Sequence, residues 1–158
     1  MNETPLKNER PESLVKRVSL MKANQAKLKY KNTFILSADT VIYTKKKFLS
    51  KTEDINIAFN NIKLLSGGRH TVYTGLTFIN SKEEIKFYLT KTKIKFKKLN
   101  DKEIKEYLTL EEWKNVAGSY AIQGYGSSFI NFISGSYTSA VGLPLEKVYT
   151  ILKNYKLL

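Results

Sequence analysis

The run Thr33-Phe34-Ile35-Leu36-Ser37-Ala38-Asp39-Thr40-Val41-Ile42-Tyr43 decides how the chain is read. It is rich in strand formers, and its apolar residues flank a small polar break on both sides, which predicts a buried strand. Asp39 is the anomaly. Aspartate is a poor strand residue, and an unpaired carboxylate beside Ile35 and Val41 would be costly to bury. Either Asp39 stands at the strand's end in a cleft, or it has a partner. The competing reading is a capping or turn aspartate that hydrogen-bonds its own backbone. The residues alone leave both open.

Outward from this strand the pattern alternates helix and strand, which argues for an α/β or α+β domain. Upstream, Leu14, Val18, Met21 and Leu28 recur at helical spacing behind Pro11, with Gln25 interrupting the face. Downstream, Ile55, Ala58, Phe59, Ile62 and Leu65 predict a second helix that stops at Gly67-Gly68. Glu53 and Asp54 are placed in its first turn, where negative charge favours the helix dipole. Thr71–Ile79 and Glu84–Phe96 read as paired strands, with Asn80-Ser81-Lys82 as the hairpin turn. Asn100 followed by Glu103 predicts a capping box opening a helix through Leu108. Phe129–Ile133 reads as a further strand, and Pro144–Leu152 as a closing helix with proline at its start.

The 158 residues suit one domain with a real core, and no repeat or linker divides them. There is no cysteine, so disulfides and thiolate metal sites are excluded, and a single histidine, His70, rules out a histidine-based zinc site in practice. Glu3, Glu9 and Glu12 punctuate the first twenty residues, so neither a signal peptide nor a membrane span is expected, and the default compartment is the cytoplasm. The net charge of +13 raises the question of nucleic acid, yet 24 of the 27 basic residues are lysine, spread along the whole chain. Groove readers and phosphate clamps favour arginine for its bidentate fork, so a solvated lysine-rich surface is the better reading. Such a field would still attract a triphosphate.

Four segments set charged or glycine-rich chemistry beside apolar runs: Asn2-Glu3-Thr4-Pro5, Lys22-Ala23 just off the first helix's apolar stripe, Ser37-Ala38-Asp39-Thr40, and Ala117 to Gly124 continuing to Gly142-Leu143-Pro144-Leu145. In a phosphoryl-transfer site Asp39 could bind a metal ion or orient a water. Lys22 and Lys51 stand against a heavy lysine background, Glu3 alone suits a helix entry, and Gln123 could either read a base edge or satisfy loop backbone. None of the glycines forms a dinucleotide fingerprint or a P-loop.

Taken in order, these segments resemble the Maf family of nucleotide pyrophosphatases. Asn2-Glu3-Thr4-Pro5 is similar to that family's Asp-Glu-Thr/Ser-Pro turn, and Leu20-Met21-Lys22-Ala23 to its following Lys-Ala helix. Ser37-Ala38-Asp39-Thr40-Val41 resembles the Ala-Asp-Thr-Val strand, and Ser50-Lys51-Thr52 falls at Gly-Lys-Pro. Leu65-Ser66-Gly67-Gly68-Arg69-His70 with Val72-Tyr73-Thr74-Gly75 matches the Leu-Ser-Gly-x-x-His-x-Val-x-Thr-Gly block, and the likeness continues through Ala117–Gly124, Gly135-Ser136-Tyr137 and Val141–Leu145. Asn115-Val116-Ala117-Gly118 lacks the lysine of the family's Asp-Lys-Ala-Gly, and Asn2 replaces an aspartate.

The resemblance implies a Maf-like, inosine triphosphatase-like α/β fold: a mixed sheet with flanking helices and a central cleft, in a single domain over residues 1–158, shortened at the N-terminus relative to the family and lacking its Ser/Arg loop. It implies hydrolysis of a nucleoside triphosphate, dTTP or UTP by the Asp-Thr pair with Ile122-Gln123-Gly124, to the monophosphate and pyrophosphate. Asp39 would be the proton acceptor and, with Glu3, would hold a divalent cation, Mg2+ or Mn2+. Lys22 and Lys51 would neutralise phosphate charge, while Thr40 and Gln123 would shape the base pocket. A homodimer is the assembly implied. The alternative expectation is a catalytically impaired, nucleotide-binding remnant of the same fold.

Overall fold

The computed structural model describes residues 2–158. The elements run α1 (Pro11–Lys29), β1 (Ile35–Thr44), β2 (Lys47–Leu49), α2 (Ile55–Leu65), β3 (Arg69–Ile79), β4 (Ile85–Phe96), α3 (Asp101–Leu108), β5 (Ile130–Ser134), α4 (Tyr137–Val141) and α5 (Leu145–Asn154). The strands form one five-stranded sheet ordered β2-β1-β3-β4-β5, antiparallel throughout, with flanking helices. Helices and strands are combined as the alternating pattern implied, and the helices flank the sheet as the resemblance implied, but the sheet is antiparallel where a mixed one was expected. The chain divides into two compact units, the first made of residues up to Thr40, Tyr73–Thr90 and Thr138–Leu158, the second of Val41–Val72 and Lys91–Tyr137.

In the first unit, α1 buries Leu14, Val15, Val18, Ser19 and Ala23. At about 100° per residue these positions form one stripe, and Lys22 lies near its middle rather than just off it. Leu28 falls outside the stripe and is 82% exposed, which corrects its assignment to the apolar face. Ala23 packs on Ile35 and Ile79, while Leu76 and Phe78 meet Ile151 of α5 in a second cluster. Between them Gly75 brings β3 against the backbone of α1. A Cβ there would stand 2.7 Å from the Val15 carbonyl oxygen and 2.9 Å from the Phe87 ring. The hairpin loop is longer than the three residues expected, running from Asn80 to Glu84. Asn80 organises it: its Oδ1 accepts the Lys82 and Glu84 amides at 3.0 and 2.9 Å.

In the second unit, α2 packs on α3 through Ala58, Ile62 and Leu65 on one side and Ile104, Tyr107 and Leu108 on the other. Asp54 is the N-cap of α2 rather than a first-turn residue. Its carboxylate accepts the Asn56 and Ile57 amides at 2.7 and 3.1 Å, satisfying donors that the helix leaves orphaned. The capping box of Asn100 and Glu103 is formed as expected. Gly67 ends the α2 segment at φ +67°, a left-handed position that favours glycine. Among the described residues no helix is long and apolar enough to cross a membrane.

Because the obstacle at Gly75 is main chain that cannot rotate aside, Gly75→Ala should destabilise the protein by about 1–3 kcal/mol, the usual cost of overpacking. Gly68→Ala, whose nearest contact is at 3.5 Å, is the tolerant control. Thermal denaturation of the two variants checks this.

Candidate functional site

Asp39 lies mid-strand in β1, not at a strand end or in a turn, so the capping reading fails and the paired one holds. Its side chain is only 10% exposed, and Lys22 Nζ donates to its Oδ1 at 2.8 Å. Burial of Lys22 works against its charge, but the Asp39 carboxylate, aided by Glu3, raises its pKa above the ordinary value. Glu3 Oε2 stands 3.2 Å from the same ammonium. One cation is thus shared by two carboxylates, one from the N-terminal turn and one from the sheet.

The N-terminal turn is held by a residue that the sequence motifs did not mark. Arg17 spreads its guanidinium over four acceptors: Glu9 Oε1 at 2.8 Å and Oε2 at 2.9 Å, the Asn2 carbonyl at 3.1 Å and the Thr4 carbonyl at 3.0 Å. This bidentate fork lowers the Glu9 pKa and leaves Glu3 on a fixed turn. Asn2 contributes by accepting the Thr4 amide at 3.0 Å and the Thr4 hydroxyl. The available signal was Arg17 being one of only three arginines.

Thr40 follows Asp39 but engages a different partner set. Its hydroxyl is 2.9 Å from that of Thr74, which donates to the Ser139 carbonyl at 2.7 Å. This chain ties β1 and β3 to α4, next to Gly142, whose φ of +135° suits glycine.

Lys51 and Gln123 belong to the second unit. Lys51 is exposed in the coil after β2, and Gln123 is exposed within the segment 117–129. The residues flanking Gln123 are held firmly. Tyr120 places its hydroxyl 2.7 Å from His70 Nε2. Its ring and that of His70 both meet Phe96 edge-on. His70 is 3% exposed, and burial lowers its pKa from the ordinary 6.5 to about 4. Tyr107, Glu112 and Asn61 also bind this segment, and none of them was singled out by motif reading.

This constellation defines a mixed α/β protein with a carboxylate–ammonium–carboxylate cluster against its sheet. The family model described as Maf-like protein matches residues 1–155. A dTTP/UTP pyrophosphatase of Wolbachia sp. subsp. Drosophila simulans (strain wRi) is 42% identical over 158 residues, covering 98% of this chain and 79% of its own length. The dTTP/UTP pyrophosphatases of Chelativorans sp. (strain BNC1) and Mesorhizobium japonicum are 39% and 41% identical, each alignment spanning 96% of this chain and 76% of the relative. The chain belongs to the Maf family.

The depressed pKa of His70 has a consequence for stability. Between pH 6.5 and about 4 the unfolded chain binds a proton that the folded one refuses. The stabilisation is present above 6.5 and is lost as pH falls towards 4, by about 1.4 kcal/mol per unit. With no other histidine in the chain, His70→Gln should flatten that slope between pH 6.5 and 5. Denaturant midpoints measured against pH check this.

Proposed function

We propose that this chain hydrolyses a nucleoside triphosphate, dTTP or UTP, with water attacking the α-phosphorus and pyrophosphate leaving, so that the products are the monophosphate and pyrophosphate. The observation that carries the proposal is the sharing of Lys22 Nζ between Asp39 and Glu3 at 2.8 and 3.2 Å. The names of the relatives, all dTTP/UTP pyrophosphatases, support the substrate. Asp39 accepts the proton of the attacking water. Lys22, kept charged by its two carboxylates, and Lys51 neutralise phosphate charge that grows in the transition state. Thr40, its hydroxyl fixed by Thr74, binds substrate, and Gln123 contacts the base.

Among the described residues no group of three or more His, Cys, Asp or Glu could hold a metal ion. Mg2+ or Mn2+ does not require one, because such ions keep waters and take one or two carboxylates together with substrate phosphates. Asp39 and Glu3 already converge on a common cation, the Lys22 ammonium, and so fit that role. When bound, the metal supplies further positive charge to the phosphate oxygens. The proposal includes a single domain over residues 1–158, supported by the length of the family match, in a cytoplasmic homodimer. Nucleic acid is not part of it. Several lysines pair with nearby acids, as in Lys63 with Asp101, Lys97 with Glu103 and Lys114 with Glu111, which supports a solvated basic surface.

Pyrophosphate release from a panel of nucleoside triphosphates with Mg2+ or Mn2+ tests this. Release from dTTP or UTP should fall by about 10²–10⁴ in Asp39→Ala, the range of a general base. Full activity in a folded Asp39→Ala protein would remove Asp39 as the proton acceptor. Lys22→Met should also slow release, and should lower stability by leaving the two carboxylates without their ammonium.

A further inference from the structure

Gln123 is exposed, yet the backbone on either side of it is held by hydrogen bonds. Ala121 to Gly124 form a turn closed by the Gly124 amide on the Ala121 carbonyl at 3.1 Å. On its N-terminal side the Tyr107 hydroxyl accepts the Ala121 amide at 3.0 Å, and Ser119 Oγ accepts from Asn61 Nδ2 at 3.0 Å. On its C-terminal side a single carboxylate does the holding. Glu112 Oε2 accepts the Tyr125 amide at 3.1 Å and Oε1 the Gly126 amide at 2.9 Å. Both oxygens are therefore occupied by successive main-chain donors, a charge-assisted and geometrically specific grip.

The glycines show how closely this carboxylate is fitted. A Cβ built on Gly124 would overlap the Glu112 carboxylate, lying 2.8 Å from its Cδ. A Cβ on Gly126 would stand 2.8 Å from the Ala121 carbonyl oxygen. Glycines at both positions let the turn close over Glu112, but they also give the segment conformational freedom that a ligand would have to remove on binding. The carboxylate removes that freedom beforehand. Burial first, and then the nearby charge of Glu112, raise the Tyr107 pKa, so the side chains that hold the two sides of the turn stand close to one another.

We propose that Glu112 is a positioning residue for substrate selection: gripping the Tyr125 and Gly126 amides, it presents Gln123 to the nucleotide base without itself touching substrate. This rests on the assignment of Gln123 to the base pocket made above. It adds the element that sets Gln123's geometry, with Tyr107 as its partner on the other side of the turn.

The test is a double-mutant cycle in the full chain, read as pyrophosphate release from dTTP and from a purine triphosphate. Glu112→Gln keeps the side-chain volume but turns an amide donor towards a backbone donor, so one of the two contacts is lost. It should raise KM for dTTP about tenfold, leave kcat little changed and reduce the preference for dTTP over the purine triphosphate. Gln123→Ala should do the same, and the double variant should be no worse than Gln123→Ala alone, because the two act as one unit. Amide hydrogen exchange at Tyr125 and Gly126 should quicken in Glu112→Gln. If Glu112→Gln does not fold, Gly124→Ala, which strikes the same carboxylate, takes its place in the cycle. Additive effects, or a folded Glu112→Gln with unchanged KM and selectivity, would overturn the role of Glu112 while leaving Gln123 in the pocket. An unchanged KM and selectivity in Gln123→Ala would overturn the base-pocket assignment itself, and the proposal with it.

Discussion

Asp39 sits in the middle of a ten-residue strand with a tenth of its side chain exposed, and a carboxylate in that setting must have a cation. Lys22 is that cation, and the demand for it explains much of the first unit. To deliver an ammonium to the sheet, α1 has to present Lys22 on the face that also carries Leu14, Val15, Val18 and Ser19. The helix can approach that closely only because β3 has a glycine where it meets the Val15 carbonyl. The Ser19 hydroxyl, 2.8 Å from that of Thr77, satisfies a second polar group in the same packed layer. A lysine on a core face would ordinarily be a defect. Here it is tolerated because its charged end meets a carboxylate.

Glu3 completes the arrangement at little cost, since its side chain is half exposed and only its backbone has to be held. Arg17 holds that backbone by binding the carbonyls on either side of Glu3 together with Glu9. The acidic pair that the chemistry needs is therefore built from unequal parts: one carboxylate fixed inside a sheet, the other carried by a turn clamped from a helix. Such a pair holds its charges close without burying both, and so avoids most of the desolvation penalty that two buried carboxylates would incur.

The second unit solves a different problem by similar means. Its exposed glutamine has to be displayed by a glycine-rich segment, and the structure supplies rigidity from beneath through buried or half-buried polar side chains rather than through the segment itself. His70, Tyr107 and Glu112 each spend a polar group on a neighbour within this unit. The partly satisfied imidazole of His70, whose Nδ1 is buried without a hydrogen-bond partner, makes this scaffold sensitive to acid.

The sequence by itself determined most of the elements, though not the short β2 and α4. Apolar periodicity located α1 and α2, the Asn100 capping box located α3, Gly67 marked the end of α2, and the strand run at residues 33–43 identified Asp39 as out of place. The ordered motifs also determined the family, because so many short matches in register are specific without any geometry. Tertiary structure decided which of two meanings Asp39 had. A carboxylate within a strand-forming run reads equally as a cap or as a paired charge until the residue opposite it is known, and that residue lies 17 positions away on a helix. The same holds for Arg17, Tyr107 and Glu112. Their roles consist of hydrogen bonds to main-chain groups elsewhere in the chain, and a backbone amide or carbonyl leaves no mark in the sequence that would reveal what binds it.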